Sequence, residues 1–306
     1  MKPRIAVVGS MNMDIVVTML RMPQVGETVQ GSAIHYVPGG KGANQSAAAA
    51  RLGADVRMIG AVGTDPFGQK LTANLQAFNI DHKGIEALDD VQTGTAVILH
   101  AQEDNCIVVT PGANSRCTPD LVRRHRAIIE QADLLLVQLE IPLESVLEAL
   151  RIARGAGVMT ILNPAPAVSL PFELLSLVDI LTPNETEFAL LSNEPVARTD
   201  EMLKKQLAAW RSRFEGKVIV TRGRKGSSYL DDAGEMRTAA ALEVAVADTT
   251  GAGDAFNGAL GYGLASGCAL GDAVDFGARA ASRSVMGFGA QGALPTLAEV
   301  EATYGS

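Results

Sequence analysis

The residues best suited to chemistry are Asp248-Thr249-Thr250-Gly251-Ala252-Gly253-Asp254, small residues at a turn with a carboxylate at each end. They stand just ahead of an apolar run, Ala255, Phe256, Gly258, Ala259 and Leu260, with few helix breakers. This order reads as a helix N-terminus, where the first amides lack intrahelical partners and carry partial positive charge, with no bulky side chain to hold an anion away. Asp254 would repel a bound phosphate. Its presence makes sense if it takes a proton from a hydroxyl that attacks phosphorus, the chemistry of a small-molecule kinase. A capped loop of no catalytic consequence would also account for this stretch.

Other clusters offer a polar ligand something to hold. Gly39-Gly40-Lys41-Gly42-Ala43-Asn44-Gln45 opens an alanine-rich segment. Its glycines allow backbone to approach a ligand, and Asn44 can donate to and accept from a polyol. No Ser or Thr follows Lys41, as a Walker A loop requires, and the third glycine of a dinucleotide fingerprint is missing. Polar Asn44 and Gln45 on an otherwise alanine helix favour a ligand role. In Ser10-Met11-Asn12-Met13-Asp14, read as the end of the first strand, alternation turns Asn12 and Asp14 to one side, where they can bind vicinal hydroxyls. Glu140 follows the apolar run that begins at Leu134. Asn184 and Glu187 fall three apart at an opening helix; the pair could hold Mg²⁺ through water, form a capping box, or do both. Thr221-Arg222-Gly223-Arg224-Lys225-Gly226 could hold nucleotide phosphates or be a solvated turn.

The elements that must position these residues follow from periodicity. Apolar runs at 5–9, 56–61, 134–139, 158–162, 180–181 and 218–221 read as buried strands, with a further strand at 227–230. Helical spacing occupies 43–52, 67–78, 119–130, 143–154 and 201–214. Asp65-Pro66 and Thr118-Pro119 are N-cap starts, and Gly53 is a stop. Strand–helix alternation predicts an α/β fold, a mostly parallel central sheet flanked by helices. Residues 15–37 and 93–110 break the rhythm: they are rich in Val, Ile and Thr, with a hairpin-like turn at Glu103-Asp104-Asn105. They read as a small β-sheet lid, as a dimer contact, or as hairpins at the main sheet's edge. The alanines at 47–50 read as close helix packing.

Composition narrows the function classes. The 306 residues are 47% hydrophobic, enough for a large core, and carry a net charge of −8 with only 4% aromatics. There is no basic stripe and no stacking platform for nucleic acid. Cys106, Cys117 and Cys268 lack metal or disulfide spacing, and the four histidines lack ligand spacing. No apolar run reaches the length of about 18 residues that a membrane span needs. The first residues lead straight into a strand pattern rather than a signal peptide, so the expected location is cytoplasmic.

Taken in order, Gly39 to Gln45, Asn184 to Glu187 and Asp248 to Asp254 resemble the ribokinase family of carbohydrate kinases, the phosphofructokinase-B-like group, over essentially the whole chain. The resemblance implies a ribokinase-like three-layer sandwich, one domain over 1–306, with a β-lid that pairs with a second subunit's lid. It implies that Asn12, Asp14, Gly40, Lys41, Asn44 and Glu140 hold sugar hydroxyls and that Asp254 is the base, with Gly251, Ala252 and Gly253 as anion hole. Asn184, Gly253 and Thr221 to Gly226 (Arg222, Gly223, Arg224 and Lys225 among them) would contact ATP. Asp248, Thr250, Ser284, Gly287 and Gly289 would surround a monovalent cation, usually K⁺, and Glu187 would reach Mg²⁺ through water. Two departures stand out: Ala278 replaces the Asn or His usual beside adenine, and Ala293 replaces a Ser of the cation shell. The implied reaction is transfer from ATP to the 5-hydroxyl of D-ribose. Rival readings are a kinase of a deoxysugar, ketose or nucleoside, and a sugar-binding sensor without catalysis.

Overall fold

Short apolar runs such as Leu134–Val137, buried along their whole length, cannot make core helices and instead become central strands. The computed structural model describes residues 2–101 and 104–305. The strands are β1 (Arg4–Val8), β2 (Asn12–Met19), β3 (Gly31–Gly39), β4 (Asp55–Gly63), β5 (Asp81–Leu88), β6 (Gly94–Ala101), β7 (Asp104–Thr110), β8 (Leu134–Val137), β9 (Met159–Leu162), β10 (Ile180–Leu181), β11 (Lys217–Thr221), β12 (Ser227–Leu230) and β13 (Met236–Ala239). One sheet has the order β13-β12-β11-β10-β9-β8-β1-β4-β5. It is parallel from β11 to β5 and antiparallel at β11–β12 and β12–β13.

The period-2 alternation of these strands feeds two cores. Ala6, Val8, Leu135 and Val137 face one, with the helices Pro119–Arg124, Leu143–Ala156 and Asp200–Trp210 packed over them. Ile5, Val7, Leu134 and Leu136 face the other, under the helices Lys41–Arg51, Pro66–Ala77, Ala252–Ala265 and Leu270–Ser284. The result is the expected three-layer sandwich. The caps read from sequence are present: Asp65 accepts from the amides of Phe67 and Gly68, and Thr118 from that of Leu121.

A second sheet, β3-β2-β6-β7, stands apart from the first. The lid segments expected at 15–37 and 93–110 are therefore strands of their own sheet, with residues 20–30 outside any strand. Of the turn expected at Glu103-Asp104-Asn105, Glu103 lies outside the described residues; Asp104 already begins β7, paired with Ala101. Asn12 and Asp14 do not end the first strand. β1 stops at Val8, and both residues open β2 in the second sheet. The helix expected over 119–130 breaks at His125 into Pro119–Arg124 and Arg126–Glu130. Strand β5 carried no readable apolar run, because Asp81, His82, Lys83 and Glu86 interrupt it at the sheet's edge.

Candidate active site

The carboxyl ends of β1, β8, β9 and β10 meet the N-termini of two helices, the usual place for a ligand in an open parallel sheet. The helix Lys41–Arg51 sits directly on the end of β1. A Cβ at Gly42 would lie 2.6 Å from the Gly9 carbonyl carbon, and Gly40 takes φ +88° with its Cα hydrogen against Asn12 and Met11. Ser10 and Glu140 receive the helix's first amides: Gly42 N–H donates to Ser10 Oγ at 3.3 Å, Ala43 N–H to the Ser10 carbonyl at 2.9 Å, and Lys41 N–H to Glu140 Oε2 at 3.0 Å. Ser10 Oγ itself donates to Glu140 at 2.5 Å. Asn114 ties down the neighbouring chain, donating to Asn12 Oδ1 at 2.7 Å and accepting from the Met11 amide at 2.9 Å.

The second helix, Ala252–Ala265, starts from Gly251 in the left-handed region (φ +77°), where a Cβ would also strike Ala290. Among the described residues the amides of Gly253 and Asp254 have no acceptor, while a Cβ built on Gly253 meets nothing within 4 Å. That end of the helix faces open space. Gly258, one turn on, brings the two helices together: a Cβ there would lie 2.5 Å from Ala48 Cβ and 2.8 Å from the Gln45 carbonyl oxygen.

This close packing carries Asn44 and Gln45 onto Asp254. The buried carboxylate accepts from Asn44 Nδ2 at 2.9 Å through Oδ2 and from Gln45 Nε2 at 3.0 Å through Oδ1. Behind Asn44, its Oδ1 accepts from Gln291 Nε2 at 2.8 Å, and Gln291 Oε1 from Asn74 at 2.6 Å. Gln45 does not play the ligand role expected of it. It is wholly buried behind Asp254, so no ligand reaches it.

Charge is concentrated around Lys41. Asp14, Glu140, Glu187 and Asp254 act on its ammonium, and together they outweigh burial and raise its pKa. Burial pushes the Asp254 carboxyl above its usual range, opposed by Lys41 and by the amides of Asn44 and Gln45. Asp14, with its side chain lying over Gly39, is pushed up to about 7 by burial and then by Glu140 and Asp254. Burial also raises Glu187, against the Asn184 amide and Lys41. Such a knot of acids costs folding free energy, as a ligand-ready site does.

A family profile described as "pfkB family carbohydrate kinase" matches residues 2–297. The chain belongs to the pfkB family of carbohydrate kinases. Among its relatives, the ribokinase of Bacillus subtilis is 42% identical over 297 residues, covering 97% of this chain and 98% of that one. The deoxyribokinase of Salmonella typhi is 35% identical and covers 96% of each chain. Among solved structures, an Arabidopsis thaliana ribokinase complexed with ribose and ATP aligns with a TM-score of 0.91 at 32% identity, over 99% of this chain and 98% of that one.

Seen as a pfkB kinase, the chain divides its remaining candidates unevenly. Asn184 and Glu187 form a full capping box: the Asn184 amide donates to Glu187 Oε2 and the Glu187 amide to Asn184 Oδ1, each at 2.8 Å. Arg222 is not free for phosphates. Its guanidinium is buried, paired with Asp200 at 2.7 Å and Glu185 at 3.4 Å, and bonded to Ser228. Arg224 and Lys225 of the same turn are exposed. Asp248 accepts from the hydroxyl and amide of Thr250 and from the Gly289 amide. Burial works against its charge, but these donors and His100 prevail and hold the carboxyl below its usual range. Ser284 turns its hydroxyl back to the Ala281 carbonyl. Ala278 is buried within its helix.

Several polar residues of the site have no role that the sequence assigns: Gln138, Asn163 and Thr182, with Asn114, Asn257 and Gln291. The first three each stand directly after β8, β9 or β10. A polar residue just past a buried apolar run was the available signal. The others lie on loops or mid-helix and carried none.

Proposed function

We propose that the protein transfers the γ-phosphoryl group of ATP to the 5-hydroxyl of D-ribose, working as one domain with its β-lid over the sugar. The observation that carries this reading is the buried Asp254 carboxylate, oriented by two amide donors at a helix N-terminus where, among the described residues, the Gly253 and Asp254 amides have no acceptor. Whole-chain similarity to ribokinases, one of them solved with ribose and ATP, supports the substrates.

In this reading Asn12, Asp14, Gly40, Lys41, Asn44 and Glu140 hold the sugar and turn its 5-hydroxyl toward Asp254. Asp254 takes the hydroxyl proton as the oxygen attacks phosphorus, an effect of roughly 10²–10⁴-fold in rate. The amides of Gly251 and Gly253 receive the charge that develops on the transferred group, the expected Ala252 amide being already bonded to the Thr249 carbonyl at 3.3 Å, and Lys41 adds a cation beside it. Asn184, Thr221, Gly223, Arg224, Lys225 and Gly226 bound the nucleotide.

The donor sets fit the expected ions. Glu187 would reach Mg²⁺ through water. Bound there, Mg²⁺ supplies charge neutralisation. The ionised Asp248 with Thr250 and the backbone around Ser284, Gly287 and Gly289 would hold K⁺.

We further propose a homodimer. Along β2, β3, β6 and β7 one face carries Ile34, Tyr36, Val97 and Val108, all at least 36% exposed, an apolar face that a second lid would cover. No described helix is long and apolar enough to cross a membrane, and three free thiols fit a reducing compartment.

A coupled ADP-release assay over ribose, deoxyribose, fructose, adenosine and uridine tests the reading. Ribose is expected to give the highest kcat/KM. The Salmonella deoxyribokinase makes deoxyribose the specific rival; a higher kcat/KM for it would move the assignment there, and no ADP release with any acceptor would end the kinase reading.

A further inference from the structure

Gln45 touches the proposed base yet is 0% exposed, and each polar atom of its side chain is engaged. Its nitrogen donates to Asp254 Oδ1 at 3.0 Å and to Asn163 Oδ1 at 3.2 Å, while its carbonyl accepts from Gln138 Nε2 at 2.7 Å. Two donated bonds and one accepted bond fix the plane of the amide. From Asn163 the bonding continues: its Nδ2 donates to the Thr182 carbonyl at 3.1 Å, Thr182 Oγ1 donates to Asn257 Oδ1 at 2.6 Å, and Asn257 Nδ2 donates to the Gly253 carbonyl at 2.8 Å. The path leaves Asp254 and returns to the peptide just before it. Since that peptide is planar, a pinned Gly253 carbonyl also fixes the direction of the Asp254 N–H.

We propose that Gln45 is a positioning residue, holding the Asp254 carboxylate at the helix mouth and, through Asn163, Thr182 and Asn257, locking the Gly253–Asp254 peptide beside it. The inference rests on the reading of Asp254 as base. It differs from a packing role, because removing Gln45 would take a donor from an ionised carboxylate and raise its pKa further. The charged groups that face Asp254 are Lys41 from the same helix as Gln45, Glu140 after β8, Asp14 on β2 and Glu187 on its own helix. None is altered by the test.

The test compares Gln45→Leu, close in volume, with the wild-type enzyme across pH. Expected are a kcat lower by about 10–100-fold, a KM for ribose within about threefold, and an acid limb of kcat/KM moved to higher pH. Gln138→Met, which only loosens Gln45 from behind, should change kcat and the acid limb in the same directions but less, and it decides the matter should Gln45→Leu fail to fold. An unchanged kcat, or a lower kcat with the acid limb where the wild type has it, overturns the proposal. Asp254→Asn run alongside separates the two readings. If that variant keeps wild-type turnover the base assignment is wrong, whereas if it is inactive while Gln45→Leu behaves as wild type, only the positioning role fails.

Discussion

At the scale of single residues, the site is a set of acids held at odds with water. Asp14 is the sharpest case, with a carboxyl pushed from 3.8 up to about 7. A group whose folded pKa is raised supports the fold fully below its unfolded value and loses that support as pH rises through the folded one. Asp14→Asn should therefore raise Tm at pH 8 and leave it little changed near pH 4, as thermal unfolding at both values will report. Sugar hydroxyls donate best to an ionised carboxylate, so KM for ribose should climb as pH falls below about 7; a flat KM would remove Asp14 from the sugar contacts. The sequence pointed to Asp14, Asn44 and Asp254 because charged or amide residues interrupted small, apolar surroundings. It misjudged Gln45 and Arg222 because chemistry and spacing say nothing of what a side chain meets. Asp200 and Glu185, the partners of Arg222, lie 22 and 37 residues away.

At the scale of elements, the site depends on how closely two helices pack. The alanines of the first and Gly258 of the second set that distance, and with it the reach of Asn44 and Gln45 to Asp254. Gly258→Ala would place a Cβ against Ala48, forcing the helices apart at a cost of about 1–3 kcal/mol. Denaturant unfolding should register that loss, and kcat should fall with it; unchanged stability and rate would show that the packing has slack. Close packing was legible from the alanines at 47–50, and the main strands from their apolar runs. Two elements were harder to see. β5 alternates charge at a sheet edge, and residues 12–14 read as the end of one strand when they open another, since Gly9 and Ser10 form a break that apolar periodicity does not reveal.

At the scale of the whole molecule, a three-layer core fixes the ends of the main strands, while the second, separate sheet carries an exposed apolar face. Covering that face is the expected role of a second copy. Val108→Glu should convert a dimer to a monomer in sedimentation, and a wild-type monomer at micromolar concentration would contradict the pairing. The fold class was readable because strand–helix alternation leaves few alternatives, but the separation of β2, β3, β6 and β7 into their own sheet depends on long-range pairing that local pattern does not carry. The account as a whole stands on Asp254. Single-turnover kinetics of Asp254→Asn, with ribose binding followed by calorimetry, test it most directly. Sugar affinity close to wild type with phosphoryl transfer slowed by roughly 10²-fold or more is the predicted result; transfer within about threefold of wild type would contradict it.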